Sequence, residues 1–432
     1  MSDTIFALAT AKGRAGVSVI RISGPDAFIA ALKITKFDTP VRKPVVRNLL
    51  NRQDEIIDEA LVIGFKGPAS FTGEDVIELQ CHGSIAVISS VFARLSDLDN
   101  CRMADPGEFT RRALMSNRLD LSQVEGLGDL IDAETELQQK QALLVMQGGL
   151  TDKVEEWRRD LIRAVALIEA TIDFADEDVP QDVTPEVFEL LTKTLDDLKQ
   201  QVKGSFAAER IREGYEIAIV GPPNAGKSTL LNTLAGREAA ITSEIAGTTR
   251  DVIEVRMNIN GLPVTLLDTA GLRETDNIVE TIGVKRAIER AKQADLRVFL
   301  NENNIRSDYG ISPSMDDIQI WSKSDLRPQQ KGLNVSSITG AGIDELILEI
   351  SNRLELKSSN TQVATHERHR VALTKAISYI SEGSAIISDG YEFSEVAALE
   401  IHQGIYALNS LIGRVDVEHI LDEIFSSFCL GK

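Results

Sequence analysis

Residues 221–228, Gly221-Pro222-Pro223-Asn224-Ala225-Gly226-Lys227-Ser228, match the phosphate-binding loop pattern G-x-x-x-x-G-K-[ST] at every fixed position. An apolar run, Tyr215-Glu216-Ile217-Ala218-Ile219-Val220, precedes the loop, and Ser228-Thr229-Leu230-Leu231-Asn232-Thr233-Leu234 follows it. That order demands a buried strand to deliver the loop and a helix to leave it. Glycines let backbone N–H groups curl around phosphate oxygens, and the helix N-terminus adds partial positive charge. Lys227 can reach the outer phosphates, and the Ser228 hydroxyl can take a magnesium position. With Asn224, Ala225, Gly226 and Thr229 beside them, these residues predict a nucleoside triphosphate site.

Two downstream motifs narrow the class. Gly247-Thr248-Thr249-Arg250-Asp251 stands where a switch would sit, and a threonine there can complete a magnesium shell while the γ-phosphate is present. Asn260-Gly261 between two apolar runs is a hairpin signal. The second run ends in Asp268-Thr269-Ala270-Gly271, a D-x-x-G in which Asp268 can hold magnesium through water and the Gly271 N–H faces the γ-phosphate. In this order the motifs point to a GTPase of the translation-factor type.

Two departures matter. Leu272 occupies the place where Ras-like proteins orient the attacking water with glutamine, and its side chain cannot align water. Arg273, Glu274 and Glu280 follow; a carboxylate could substitute, or all three could be ordinary surface charge. The guanine-reading pattern N-K-x-D has its counterpart in Ser322-Lys323-Ser324-Asp325, with serine in place of asparagine. Asp325 would accept from the guanine N1–H and 2-amino group, so weaker binding rather than lost specificity is expected. Ser336-Ser337 stands where an S-A pair supports the base, and 301–316 reads as a polar loop where a helix is usual.

At 432 residues the chain has room for roughly three domains. Residues 1–117 read as mixed α/β, with strands over 16–24 and 75–80. Each carries a charge, Arg21 or Glu78, which composition alone places on the solvated face of an edge strand; the sharper reading is a polar pocket on a sheet. From about Leu119 the spacing turns helical. Val154, Trp157, Leu161, Val165, Ile168 and Ile172 form one apolar stripe, and Val187, Leu191, Leu195, Leu198 and Val202 form another. Asp173–Pro185 between them reads as an acidic loop. Helical spacing resumes after the nucleotide domain with Val396, Leu399, Ile405, Leu408 and Ile412, then Val417, Ile420, Ile424 and Phe428. Helices before and after suggest one helical domain interrupted by an insertion.

Charge and cysteine usage set further bounds. The net charge of −20 means that nucleic acid is not attracted by the chain as a whole, so any RNA contact needs a local basic patch or a partner. Cys81, Cys101 and Cys429 make no disulfide framework and lack metal-ligand spacing, as suits a reducing cytosol. No stretch of 18 apolar residues occurs, and Met1-Ser2-Asp3-Thr4 lacks the basic start of a signal peptide, so a cytoplasmic protein off the membrane is expected.

Several longer stretches, DTIFALATAKGRAGVSVIRISG, SFTGEDVIELQCHG and DPGEFTRRALMSNRLDLSQVEGLGDLIDA, together with the closing Phe428-Cys429-Leu430-Gly431-Lys432, resemble the tRNA-modifying MnmE (TrmE) GTPase family over nearly the whole length. The resemblance implies an amino-terminal α/β folate-binding and dimerisation domain over 1–117. It further implies a helical domain in two parts, 118–212 and 356–432, with a Ras-like P-loop GTPase domain inserted at 213–355. It implies a reduced folate, 5-formyl- or methylene-tetrahydrofolate, held by Arg21, Glu78, Arg118 and Lys432; Arg118 replaces an expected lysine and keeps its charge. It places Cys429 near the folate one-carbon unit, with Lys432 able to lower its pKa; a cysteine at the end of an amphipathic helix is otherwise inert.

In the GTPase domain the resemblance implies GTP, Mg2+ and K+. Magnesium would fall to Ser228, Thr249 and Asp268, and potassium to Asn224, Ser243, Ile245 and Thr248. Glu280 would orient water. Two GTPase domains of a homodimer would meet face to face. With an FAD-containing partner of the MnmG (GidA) type, the family adds an aminomethyl-type group, carboxymethylaminomethyl among them, at carbon 5 of the wobble uridine in tRNA. Gly13-Arg14-Ala15-Gly16 is too short to be a flavin fingerprint of the chain's own. The rival readings are an Era-type ribosome-assembly GTPase, for which no basic RNA-binding module is visible, and a regulatory scaffold that binds folate and GTP.

Overall fold

The computed structural model describes residues 3–173, 183–237, 254–268, 288–301, 311–326, 330–358, 362–389 and 394–415, and positions 421, 424, 425, 428 and 431. Its contacts divide the chain into two compact units, Met1–Gly128 with Asn409–Lys432, and Asp129–Leu408.

The first unit is built on strands β1 (Thr4–Leu8), β2 (Ala15–Ser23), β3 (Val45–Leu50), β4 (Ile56–Phe65), β5 (Val76–Gly83) and β6 (Cys101–Met103). They lie in the order β3-β4-β5-β2-β1-β6, antiparallel throughout except for the parallel pair β1–β6. Alternation decides which side chains enter the core. Phe6, Leu8, Ile20, Ile22, Ile77, Leu79 and Cys81 share one face with Ala27, Ala30, Ala31 and Ile34 of α1 (Ala27–Thr35) and Val91 and Leu95 of α2 (Ile85–Ser96). The Ser84 hydroxyl caps α2 by accepting the Val87 N–H at 3.1 Å. On the other face Ile5 and Ala7 pack with Ala104, with Phe109 of α3 (Glu108–Met115) and with Phe71. Beyond α3, Leu121 and Val124 of α4 (Leu121–Asp132) cluster with Leu421 and Phe425, with Ile424 and Phe428 alongside. The edge-strand expectation for Arg21 and Glu78 is corrected here: β2 and β5 are the two central strands.

The second unit joins long helices to a nucleotide-binding sheet. It holds α5 (Glu136–Met146), α6 (Gly149–Asp173) and α7 (Thr184–Glu213) before the sheet. On α6 the predicted stripe is buried at Val154, Trp157, Leu161, Val165 and Ile168. Helix α7 begins inside the stretch expected to be loop; Pro185 fits its first turn, where no N–H partner is lost. Its buried face is more polar than the apolar spacing suggests, with Thr194, Gln201 and Ser205 buried and Val202 only half-buried.

The sheet consists of β7 (Tyr215–Val220), β8 (Glu254–Ile259), β9 (Leu262–Asp268), β10 (Leu296–Asn301), β11 (Ile318–Ser322) and β12 (Leu333–Val335), ordered β12-β11-β10-β7-β9-β8. All pairs are parallel except the β8–β9 hairpin, where Ile259 faces Leu262 and leaves Asn260-Gly261 as the turn. Helix α8 (Lys227–Arg237) and α9 (Ile343–Ser358) cover one face, burying Leu230, Leu231, Leu234, Ile343, Leu346 and Ile350. Ala291 and Ile311 pack on Ala218, Val220 and Phe299 on the other. Buried on both sides, β7 is nearly continuous in apolar residues, as a central parallel strand must be.

After the sheet come α10 (Glu367–Asp389) and α11 (Ser394–Leu411). Helix α10 returns along α7, with Arg370 paired to Glu209 at 2.6 Å and Arg212 Nε donating to Thr365 O at 3.1 Å. The core face of α11 is Ala397, Ile401, Ile405 and Leu408, whereas Val396 and Leu399 of the predicted stripe are 45% and 56% exposed. Four-residue steps from Ala397 set that face, and Val396 and Leu399 fall off it. Val417 and Ile420 lie outside the described residues.

Candidate nucleotide and amino-terminal sites

Ligands of doubly wound sheets sit beyond the carboxyl ends of the strands. Here β7 delivers Gly221–Ser228, β11 delivers Ser322–Asp325 and β12 delivers Ser336-Ser337 to that one edge. Asn224 and Gly226 have φ of 63° and 95°, which bends the loop back into α8. Lys227 is buried, and its Nζ donates to Gly221 O at 2.9 Å and Pro222 O at 3.0 Å, so the ammonium lies across the mouth of the loop. Ser228 and Thr229, in the first turn of α8, are exposed.

The base-reading loop is tied to the phosphate loop. Lys323 Nζ donates to Asn224 O, and Thr233 of α8 donates to Ser337 O at 3.0 Å. Ser336 is fully buried and donates to Asp325 Oδ1 at 2.6 Å, which orients that carboxylate. These groups fit a magnesium–guanine nucleotide: a cation and a helix N-terminus face the phosphates, a hydroxyl is available to the metal, and an oriented carboxylate is available to the base. The bound metal would neutralise phosphate charge. Ser243, Ile245, Thr248, Thr249, Gly271, Leu272 and Glu280 lie outside the described residues, as does the side chain of Asp268. A cavity of about 380 Å³ elsewhere in this unit, lined by Asp129, Gln138, Arg212, Arg256 and Thr265 among others, contains none of the nucleotide-site residues.

In the first unit Arg21 and Glu78 stand directly opposite each other on β2 and β5. Arg21 Nε and Nη2 both donate to Glu78 Oε1, at 3.1 and 3.0 Å, and the guanidinium lies 5.0 Å from the Phe71 ring and 5.9 Å from the Phe109 ring. Arg118 is exposed just after α3. Gly431 lies against β1: a Cβ there would run into Leu8 O, and its φ is 98°. The same β1 pairs Ala7 with Arg21, so the segment ending in Gly431 reaches within one residue of the row that holds the Arg21–Glu78 pair. Cys429 and Lys432 lie outside the described residues. Burial pushes the Cys81 thiol up to about 11, leaving it an inert core sulfur.

Gly431→Ala is expected to loosen this docking. A side chain on the left-handed side costs about 1–2 kcal/mol even without the clash, roughly a tenfold shift toward the undocked tail. Limited carboxypeptidase digestion should read this as faster trimming. An unchanged rate would contradict the contact.

An ionic network around Arg112 was not signalled by any motif. The Arg112 side chain is 1% exposed and meets Asp3, Glu74 and Glu108 at 2.9–3.1 Å. Glu74 also accepts from Ser23, whose hydroxyl lies 2.7 Å from Thr72, so the network fixes the loop that presents Phe71 to Arg21. The traces in the sequence are an arginine at a core position of an otherwise amphipathic short helix and its four-residue spacing from Glu108.

A phosphate loop between a parallel strand and a helix, with an S-K-x-D loop at the same sheet edge, defines the nucleotide domain of a P-loop GTPase. The family model described as GTP-binding protein TrmE N-terminus matches residues 4–118, and that described as MnmE helical domain matches 121–429. The chain is 57% identical over 430 residues to the tRNA modification GTPase MnmE of Roseobacter denitrificans and 55% identical to that of a Ruegeria species, with 100% of both chains covered in each case. A solved structure of Era with MgGDPNP and a 16S ribosomal RNA fragment is 30% identical over 32% of this chain and 56% of that chain, at a TM-score of 0.26, too slight an overlap to bear on function. The chain belongs to the MnmE (TrmE) family of tRNA modification GTPases.

Proposed function

We propose that this protein hydrolyses GTP to drive modification of the wobble uridine in tRNA. The full-length family match, together with the assembled phosphate and base loops, carries this reading. Lys227 binds the outer phosphates, Ser228, Thr249 and Asp268 hold magnesium, and Asp325, oriented by Ser336, selects guanine. Potassium sits on Asn224, Ser243, Ile245 and Thr248 when two GTPase domains of a homodimer meet, and Glu280 orients the water that Leu272 cannot. The domains follow the division 1–117, 118–212, 213–355 and 356–432; the packing of α7, before the sheet, on α10, after it, supports an insertion.

A reduced folate occupies the amino-terminal domain. Its pterin edge takes the Glu78 carboxylate, which Arg21 holds in place, and the cations Arg118 and Lys432 suit its acidic tail. The paired, part-buried geometry of Arg21 and Glu78 and the nearby tail glycine support this placement. Cys429 lies by the one-carbon unit. An FAD-dependent MnmG-type partner supplies the redox step and most of the tRNA grip, as the charge of −20 suggests. The protein works in the cytoplasm; among the described residues no helix is long and apolar enough to cross a membrane.

Mass spectrometry of tRNA nucleosides from cells lacking this chain tests the reading. The carbon-5 substituent should vanish, return with the wild-type chain, and fail to return with Cys429→Ser. An unchanged nucleoside profile would reject the tRNA role.

A further inference from the structure

Ser322 closes β11 at the point where the family of guanine-reading loops carries asparagine. Its Oγ is shut away from solvent and has no hydrogen-bond partner among the described residues. The residue as a whole is 8% exposed. Everything around it is tied. Ser324 N–H donates to Val335 O at 3.2 Å, Leu326 N–H to Lys323 O at 3.0 Å, and Asp325 accepts from Ser336. Lys323 takes a positive φ of 59° and sends its ammonium to Asn224 O in the phosphate loop. Ser18, Thr39, Thr110 and Thr194 also bury hydroxyls of this kind, but only Ser322 does so within the base-reading loop, where a partner would matter to nucleotide.

The chemistry of the side chain explains the missing partner. A primary amide offers two donors and an acceptor on a longer arm, so it can bond a neighbouring loop from this position. Serine has one hydroxyl on a single carbon, and here it reaches no partner among the described residues. We propose that Ser322 is an affinity-setting residue of the nucleotide site. It removes a brace between the base-reading and phosphate loops while leaving base choice to Asp325. This inference rests on the reading of the site as a guanine-nucleotide site. Both loops contact bound nucleotide, so a looser brace weakens GTP and GDP alike and acts mainly on the rate of release.

The test uses the full-length chain and fluorescent GDP release by stopped flow. Ser322→Asn should slow release about tenfold and leave the preference for guanine over xanthine where it is. Ser322→Ala carries no amide and should not slow release. Removal of the unpaired hydroxyl should instead raise the melting midpoint of the nucleotide-free protein by roughly a few degrees. Release from a folded Ser322→Asn that is unchanged or faster would overturn the proposal. So would a release at least about fivefold faster from Ser322→Ala, since it would mean that Oγ gains a partner when nucleotide binds. If Ser322→Asn does not fold, the release rate and melting midpoint of Ser322→Ala decide. Asp325→Asn separates this question from the underlying one: it should trade guanine for xanthine nucleotides. Failure of the wild-type chain to bind GDP would sink the guanine site itself, whatever the Ser322 variants do.

Discussion

Lys227→Ala should lower single-turnover GTP hydrolysis by about 10²–10³-fold, the scale of removing one preorganised charged donor from a transition state. The reason is positional. Gly221 O and Pro222 O hold the Lys227 ammonium across the loop. No reorganisation is then needed when charge develops on the transferring phosphoryl group. Alanine leaves those two carbonyls facing the phosphates without a cation, so nucleotide binding should weaken as well. Rapid-quench assays at saturating GTP isolate the chemical step, and a loss below about tenfold would contradict the role given to Lys227. Lys227→Arg should rescue poorly, because a planar fork does not replace a point charge seated between two carbonyls.

Arg112→Leu should destabilise the first unit by about 3–5 kcal/mol. The guanidinium is almost wholly buried among Asp3, Glu74 and Glu108, and removing it strands carboxylates that remain partly desolvated. A melting midpoint lower by roughly 10 °C is the calorimetric equivalent for a unit of this size. Arg102 is 44% exposed while pairing with the same Asp3 and Glu108, so Arg102→Ala should cost about 1 kcal/mol or less. The network also fixes an acid limit. Burial alone would push Glu108 up, but hydrogen bonds from Arg102, the Asp105 N–H and Arg112 overcome it and hold the carboxyl below its ordinary 4.5. Burial likewise opposes the shift of Asp3, and Arg102 and Arg112 bring it below 3.8. A depressed carboxylate contributes stability that is complete above its unfolded pKa and lost as pH falls through the folded value. Wild-type stability should therefore decline below about pH 4.5, and Arg112→Leu should flatten that decline. Equal acid slopes in the two proteins would assign the effect elsewhere.

Residues whose neighbours in sequence are also their neighbours in space were legible before any fold was known. The phosphate loop, the Asn260-Gly261 turn and the stripe on α6 are local patterns of period or spacing, and the chain folds as they predict. What escaped the sequence depends on partners far along the chain. Arg21 and Glu78 read as edge charges because nothing local reveals that β2 and β5 lie at the centre of a sheet and pair those two residues. Arg112 adds Asp3 and Glu74 from two distant segments to Glu108 on its own helix, and Val396 and Leu399 turn outward because Ala397 and Ile401 have already claimed the inner face of α11. Pro185 is the opposite case. It was legible as punctuation, but whether a proline ends a loop or starts a helix depends on what packs downstream.

Leu421, Phe425 and Gly431 belong to the first unit, yet the whole of Asp129–Leu408 is synthesised between them and the helices and strand they lean on. During translation the early strands can close on α1 and α2, but Leu121 and Val124 lack their cover until the intervening unit has emerged. Domains generally fold in order from the ribosome, but this one can only be finished last. Such a delay exposes apolar surface for about 10–60 s at ordinary elongation rates. A nascent chain stalled short of Asn409 should therefore bind holdase chaperones through its first unit, and release them once the final helix-and-glycine segment arrives.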